Sequence, residues 1–252
     1  MIKELLKKIQ RQLNPKNASI VDPLPLLKQY RVLVGQLDEF KRDEWTHWSL
    51  NFLKGYAEFK PRYLTSAEIR EFREHIHLLT NTSQRDFWSD LLKNRIVEYV
   101  SSNIQGYQGE KILVNSDFID SMDLINNYAI TNNVIVSVTD SFRPKGTSVQ
   151  GSIVPPSEKS NHKVGHAIDM NLMYDANNDG TPDTLANDKY LGRVKSDPNS
   201  VHPDVRNFVE AIRNDPKLRW GGDFPKIDPV HIDDGLNVNN QKLWEQKYNT
   251  LP

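Results

Sequence analysis

The chain has 252 residues, 37% of them hydrophobic, which is enough for one or two domains with cores of their own. With 32 Lys+Arg against 33 Asp+Glu the formal net charge is −1, and no stretch supplies the concentrated basic face of a nucleic-acid binder. Cysteine is absent, so disulfides and thiolate metal ligands are excluded and any metal site must be built from His and carboxylates.

Charge is unevenly spread. Residues 1–109 hold 17 Lys+Arg and 13 Asp+Glu (+4), the remainder 15 and 20 (−5), a contrast that supports two domains. Ile2, Leu5, Leu6, Ile9 and Leu13 recur at helical spacing with lysines between them, which predicts a short packed helix. No apolar run of signal-peptide or membrane-spanning length follows, so the expectation is a product made in the cytoplasm with no integral membrane segment. Residues 24–104 read as several helices. Asp43 is a candidate cap for a segment presenting Trp45, Trp48, Phe52 and Tyr56, and Thr65-x-x-Glu68 is a capping-box signature ahead of Ile69, Phe72, Ile76 and Leu79. Phe87, Leu91, Ile96 and Val100 continue a further helix. These aromatics fall at core spacing, which favours a helix-bundle core over a sugar-stacking groove. His75 and His77 are two apart, face different sides of a helix, and are read as packing or surface residues. Gly106-Tyr107-Gln108-Gly109 breaks the pattern and divides a helical accessory or targeting domain, 1–108, from a second domain, 109–252.

Beyond the break, residues 117–131 read as a helix and Val134–Asp140, rich in β-branched residues, as a strand that delivers Ser141, Phe142 and Arg143 to its end. A long loop through Pro155-Pro156 follows. Ala167-Ile168-Asp169-Met170-Asn171-Leu172 then alternates, placing Ala167, Asp169 and Asn171 on one face. His162 precedes Asp169 by seven residues across a bend at Gly165, so an imidazole from a loop can converge on a carboxylate held by a strand. A catalytic zinc needs one more protein ligand and one open position. Of the seven histidines, His231 fits best, because Gly221-Gly222 and the prolines 225 and 229 bound the short apolar piece that carries it. Asp228, three residues earlier, is placed to act as a general base without being a ligand. His166 has the opposite strand parity to Asp169 and should point away from the ion, while His202, directly before Pro203, is read as structural. Asp175, Asn177, Asp179, Thr181 and Asp183 occupy calcium-loop positions, but Ala186 stands where a bidentate Glu would close the set. Calcium binding and a plain Asn-Asp-Gly turn are both compatible with that loop. Residues 203–214 predict a helix with Val205, Phe208, Val209 and Ile212 inward, and Asn239 a cap for a last helix.

The pattern Ser160-x-His162-x-x-Gly165-x-Ala167-x-Asp169, followed by Trp220-Gly221-Gly222-Asp223 and then Asp228-x-x-His231, resembles the zinc peptidases of peptidoglycan: the vancomycin-resistance-type D-Ala-D-Ala peptidases and the L-alanyl-D-glutamate endopeptidases of phage lysins and bacilli. The likeness covers roughly residues 110–252. It implies a small α+β peptidase domain with a central antiparallel sheet; with the helical N-terminal domain read from periodicity, the expected fold class is α+β. It also implies Zn²⁺ held by His162, Asp169 and His231, Asp228 as base, and Arg143 on the oxyanion or a substrate carboxylate, with Ser160 at the substrate. The family's Ser-x-x-Arg element appears here only as Ser141-x-Arg143. An Asp as base is typical of the endopeptidases and a Glu of the D,D-carboxypeptidases, so Asp228 favours cleavage of L-Ala-D-Glu bonds in stem peptides, with D,D-carboxypeptidase as the alternative. Hedgehog-type domains keep a related zinc site as binding modules, which leaves a non-catalytic wall- or protein-binding domain open. The implied setting is a lysin, virion enzyme or secreted effector acting on the cell wall, its N-terminal half docking to a phage or secretion component.

Overall fold

A computed structural model describes residues 1–13, 22–59, 63–147 and 157–251. The stretch 148–156, with the Pro155-Pro156 pair of the expected loop, lies outside them. Two compact units result, Met1–Lys93 and Asn94–Pro252. Among the described residues no helix is long and apolar enough to cross a membrane.

Among its described residues the first unit is built of five helices: α1 (Ile2–Gln12), α2 (Leu24–Gly35), α3 (Glu39–Phe59), α4 (Ser66–His77) and α5 (Thr82–Leu92). Leu6, Ile9, Leu27, Tyr30, Leu50, Ile69 and Phe72 are buried in its core. Leu6, Ile9, Ile69 and Phe72 follow their expected spacing, whereas Trp45, Trp48, Phe52 and Tyr56, expected in the core, are only half-buried because α3 turns Leu50 and Leu53 inward instead. The capping box at α4 is present in both directions: Thr65 accepts from Glu68 N and Glu68 accepts from Thr65 N. Asp43 is not a cap. It lies inside α3, and its carboxylate accepts instead from the backbone and hydroxyl of Thr80 at 2.9 and 2.7 Å, tying α3 to the turn after α4. His75 is buried and His77 exposed, in keeping with their two-residue offset.

In the second unit, α5 does not continue to Val100. Ile96–Glu98 is a strand, β1, paired antiparallel with β3 (Leu113–Asn115). β2 (Ile104–Gly106) pairs in parallel with β4 (Ile135–Asp140), so the boundary between units falls before β1, not at the Gly106–Gly109 break, which is the bend that ends β2. The main sheet runs β2-β4-β5-β8-β7, where β5 is Ala167–Tyr174, β7 Arg219–Trp220 and β8 His231–Asp233, and β6 (Thr184–Ala186) pairs with the far end of β5. Every pairing but β2–β4 is antiparallel. Four longer helices accompany it: α6 (Ile119–Thr131), α7 (Asp188–Ser196), α8 (Pro203–Asn214) and α10 (Gln241–Thr250), with a single-turn α9 (Leu236–Asn239). α8 buries Val205, Phe208, Val209 and Ile212 as predicted. Asn240, one residue after the expected Asn239, caps α10 by accepting from Leu243 N. From Ile168 on, alternation along β5 holds: Ile168, Met170 and Leu172 are buried while Asp169 and Asn171 are half-buried on the other face; Ala167, at the strand's start, is buried too.

Candidate metal centre

Antiparallel pairing sets Asp169 of β5 directly opposite His231 of β8, and directly opposed side chains in such a ladder lie within reach of each other. His162 arrives from a 3-10 turn, Asn161–Val164, that ends on Gly165 with φ +71°. A Cβ at Gly165 would stand 2.6 Å from Asn115 N, so only glycine allows the turn to pack against β3. Three atoms converge: His162 Nε2 to Asp169 Oδ1 is 3.1 Å, His231 Nδ1 to Asp169 Oδ1 3.0 Å, and His162 Nε2 to His231 Nδ1 3.2 Å. Among the described residues this is the one group of three or more His, Asp or Glu placed to share an ion.

The outer nitrogens fix what the inner ones can do. His162 Nδ1 faces the Ser141 carbonyl at 2.7 Å and must donate to it, which leaves Nε2 as a bare lone pair. His231 Nε2 faces Asp233 Oδ2 at 3.0 Å and must donate there, which leaves Nδ1 bare. Two imidazole lone pairs and a carboxylate oxygen thus point at one spot, an arrangement that repels itself unless a positive charge sits among them. Burial opposes a charged His231 ring, yet hydrogen bonds to Asp169 and Asp233 push it up to about 9. Burial likewise works to raise Asp169, and its two histidine neighbours outweigh that and hold it well below the usual carboxylate range. A tetrahedral zinc with bonds of about 2.0–2.1 Å separates its ligand atoms by about 3.3–3.4 Å, close to the spacing found here. The donor set therefore fits a divalent ion of zinc's type.

Asp228 lies beside this cluster. Burial raises its carboxyl above the ordinary value, the charge of Asp169 raises it further, and His231, His162 and Arg143 pull the other way. Its Oδ1 is buried with no hydrogen-bond partner. The Trp-Gly-Gly segment explains how it comes so close. Asp228 N donates to Gly221 O at 2.9 Å, a Cβ on Gly221 would lie 2.3 Å from Asp228 O, and Trp220 Nε1 donates to Pro229 O at 2.7 Å. Asp223, last of that motif, accepts two bonds from Arg213 of α8 and so anchors the segment without facing the cluster's ligands.

The remaining predicted residues divide. Arg143 is at the centre, but its Nε and Nη2 are engaged by Asp140 at 2.5 Å and Asp169 Oδ2 at 2.8 Å, so it braces the ligand carboxylate. Ser160 caps the turn that carries His162, with its carbonyl accepting from Lys163 N. His166 pairs with Asp234 at 2.7 Å and packs on Phe118, apart from the cluster. His202 caps α8 through Asp204 N. The calcium reading of Asp175, Asn177, Asp179, Thr181 and Asp183 finds no support. Asp175 accepts from Asp179 N and Gly180 N, and Asp179 from Thr181 N, so these oxygens satisfy the turn's own amides. Asp140, Asn161, Arg219 and Asp233 were not singled out from sequence. The two-residue spacing of His231 and Asp233 on a strand was the one signal that pointed to any of them.

The chain thus presents an α+β domain whose small mixed sheet carries a two-histidine, one-carboxylate cluster that could hold a metal ion. Residues 155–234 match the model of a D-alanyl-D-alanine carboxypeptidase family, a segment that contains His162, Asp169, Asp228 and His231 and leaves out Arg143 and the entire helical unit. That match supports a peptidase. No curated protein and no solved structure matches the chain.

Proposed function

We propose that the second unit is a zinc-dependent peptidase of peptidoglycan stem peptides and that it cuts the L-Ala-D-Glu bond. The observation that carries the reading is the convergence of His162 Nε2, Asp169 Oδ1 and His231 Nδ1 with the unpartnered Asp228 carboxyl beside them. When bound, Zn²⁺ supplies Lewis acidity toward a peptide carbonyl and lowers the pKa of water. Asp228 takes the proton from the attacking water at its carboxylate and returns it to the leaving amine; its raised carboxyl and its unused Oδ1 suit both transfers. Arg143 holds Asp169 Oδ2, which leaves Oδ1 for the ion. A guanidinium has five N–H donors, and those of Arg143 not taken by Asp140 and Asp169 stabilise the developing oxyanion.

Two features support an endopeptidase. The base is Asp and not Glu, which in the family it resembles goes with L-Ala-D-Glu cleavage. The charge of Arg143 is already shared between two carboxylates and its remaining donors serve the oxyanion, so none is left for the free C-terminal carboxylate a carboxypeptidase must hold. The description of the matching family favours the second reading, a D,D-carboxypeptidase. Incubating purified stem peptides with the zinc-loaded chain and weighing the fragments separates the two: a free L-Ala end supports the proposal, and release of terminal D-Ala alone overturns it. Zinc uptake with neither product would make the domain a metal-stabilised binding module.

A further inference from the structure

His162 and His231 meet the ion position through different nitrogens, Nε2 and Nδ1. Something must hold His231 in that less extended orientation. We propose that Asp233, clamped by Arg219 and Asn161, is the positioning residue that fixes Nδ1 of His231 toward the metal. The inference rests on the metal-binding half of the proposed function and not on the substrate.

Sheet register builds the device. His231 and Asp233 are alternate residues of β8 and share a face, and Arg219 of β7 is the direct cross-strand neighbour of Asp233. Arg219 grips the carboxylate with Nε on Oδ1 and Nη2 on Oδ2, both at 2.7 Å, and its guanidinium lies over the Phe224 ring at 5.0 Å. Gly235 leaves room for that side chain, since a Cβ there would stand 3.1 Å from Arg219 Nε. Asn161, next in sequence to His162, donates to Asp233 Oδ2 at 3.0 Å, and Gly235 N donates to Oδ1 at 2.9 Å. With four donors already on it, the carboxylate can only accept from His231 Nε2, and that acceptance commits the ring's proton to Nε2 and its lone pair to Nδ1. Through Asn161 the same carboxylate couples the turn bearing His162 to the strand bearing His231. Asp233 is almost fully buried, at 2% exposure, so water cannot substitute for it.

Asp233→Asn tests this at nearly constant shape. An amide oxygen turned to His231 sets its NH2 against the donors of Arg219 Nε and Gly235 N, and an NH2 turned to His231 drives the ring proton onto Nδ1, where the metal should bind. Either way zinc affinity, read by chelator competition, should fall about 10–100-fold with the circular dichroism of the native chain retained. A folded Asp233→Asn chain with unchanged zinc affinity overturns the proposal. Should that variant fail to fold, ¹⁵N-histidine NMR on the native zinc-loaded chain decides: the pattern for metal on Nδ1 with the proton on Nε2 of His231, and the reverse for His162, supports it, and His231 bound through Nε2 refutes it. A native chain that takes up no zinc sinks this inference together with the metal site itself, an outcome distinct from either of the others.

Discussion

Gly221→Ala is the most direct probe of how the site is assembled. The added Cβ would stand 2.3 Å from Asp228 O and 2.8 Å from His231 Cβ, about 1 Å and 0.6 Å inside the 3.4 Å where ordinary contact begins. Both obstacles are backbone or the root of a side chain, so no rotamer change relieves them, and the segment carrying Asp228 and His231 must move by about that distance. Overpacking of this kind costs about 1–3 kcal/mol. At about 2–4 °C per kcal/mol for a unit of this size, the melting temperature of the second unit should drop by several degrees. A misplacement of about 1 Å at reacting groups also costs about 10²-fold in turnover. Calorimetry reads the first effect and stem-peptide turnover the second, while chelator competition on the zinc-loaded variant shows whether the metal grip has loosened as well. Gly55→Ala in α3 is the comparison: its Cβ meets nothing within 4 Å, and in a helix interior it should stabilise the first unit by about 0.5–1 kcal/mol. If Gly221→Ala melts and binds zinc like the native chain, the close approach of these two segments is not what positions the site.

Other consequences can be checked as simply. Asp228→Asn should lower stem-peptide turnover about 10²–10⁴-fold while zinc content stays at the native level; loss of the metal instead would make Asp228 a ligand. Thr65→Ala removes the cap of α4 and should cost the first unit about 1 kcal/mol by thermal melt, with no change in zinc affinity. Burial works to raise Glu71, but hydrogen bonds from His75 and Arg31 outweigh it and hold its carboxyl below the ordinary value. A carboxyl lowered by folding stabilises above its unfolded value and loses that contribution as pH falls through the folded one. The first unit should therefore weaken below about pH 4.3. Glu71→Gln should lower stability at neutral pH and flatten that acid limb, and an acid limb of unchanged steepness would refute the assignment.

Strand alternation and the composition of the Trp-Gly-Gly segment made Asp169 and His231 legible, because a period of two and a bounded apolar piece are local signals. The capping box of α4 was legible for the same reason. Asp43 was misread because an Asp ahead of an apolar run resembles a cap whether or not the helix has already begun at Glu39. Ile96–Glu98 was read as helix because three residues are too few to show a period, and its pairing with Leu113–Asn115 is what makes it a strand. The parallel pairing of β2 with β4 and the contact of Arg219 with Asp233 depend on register across the sheet, which no window of sequence contains.

The spacing of the ligands along the chain has a consequence for how the domain matures. His162 and Asp169 are seven residues apart, while His231 is 62 from Asp169. A nascent or unfolded chain can offer an ion only the near pair, a weak grip, and the third hold exists once β8 has closed a long loop onto β5. If the proposed ion binds, tight capture would report completion of the sheet: it would act as a late-arriving lock on a finished fold and not as its seed.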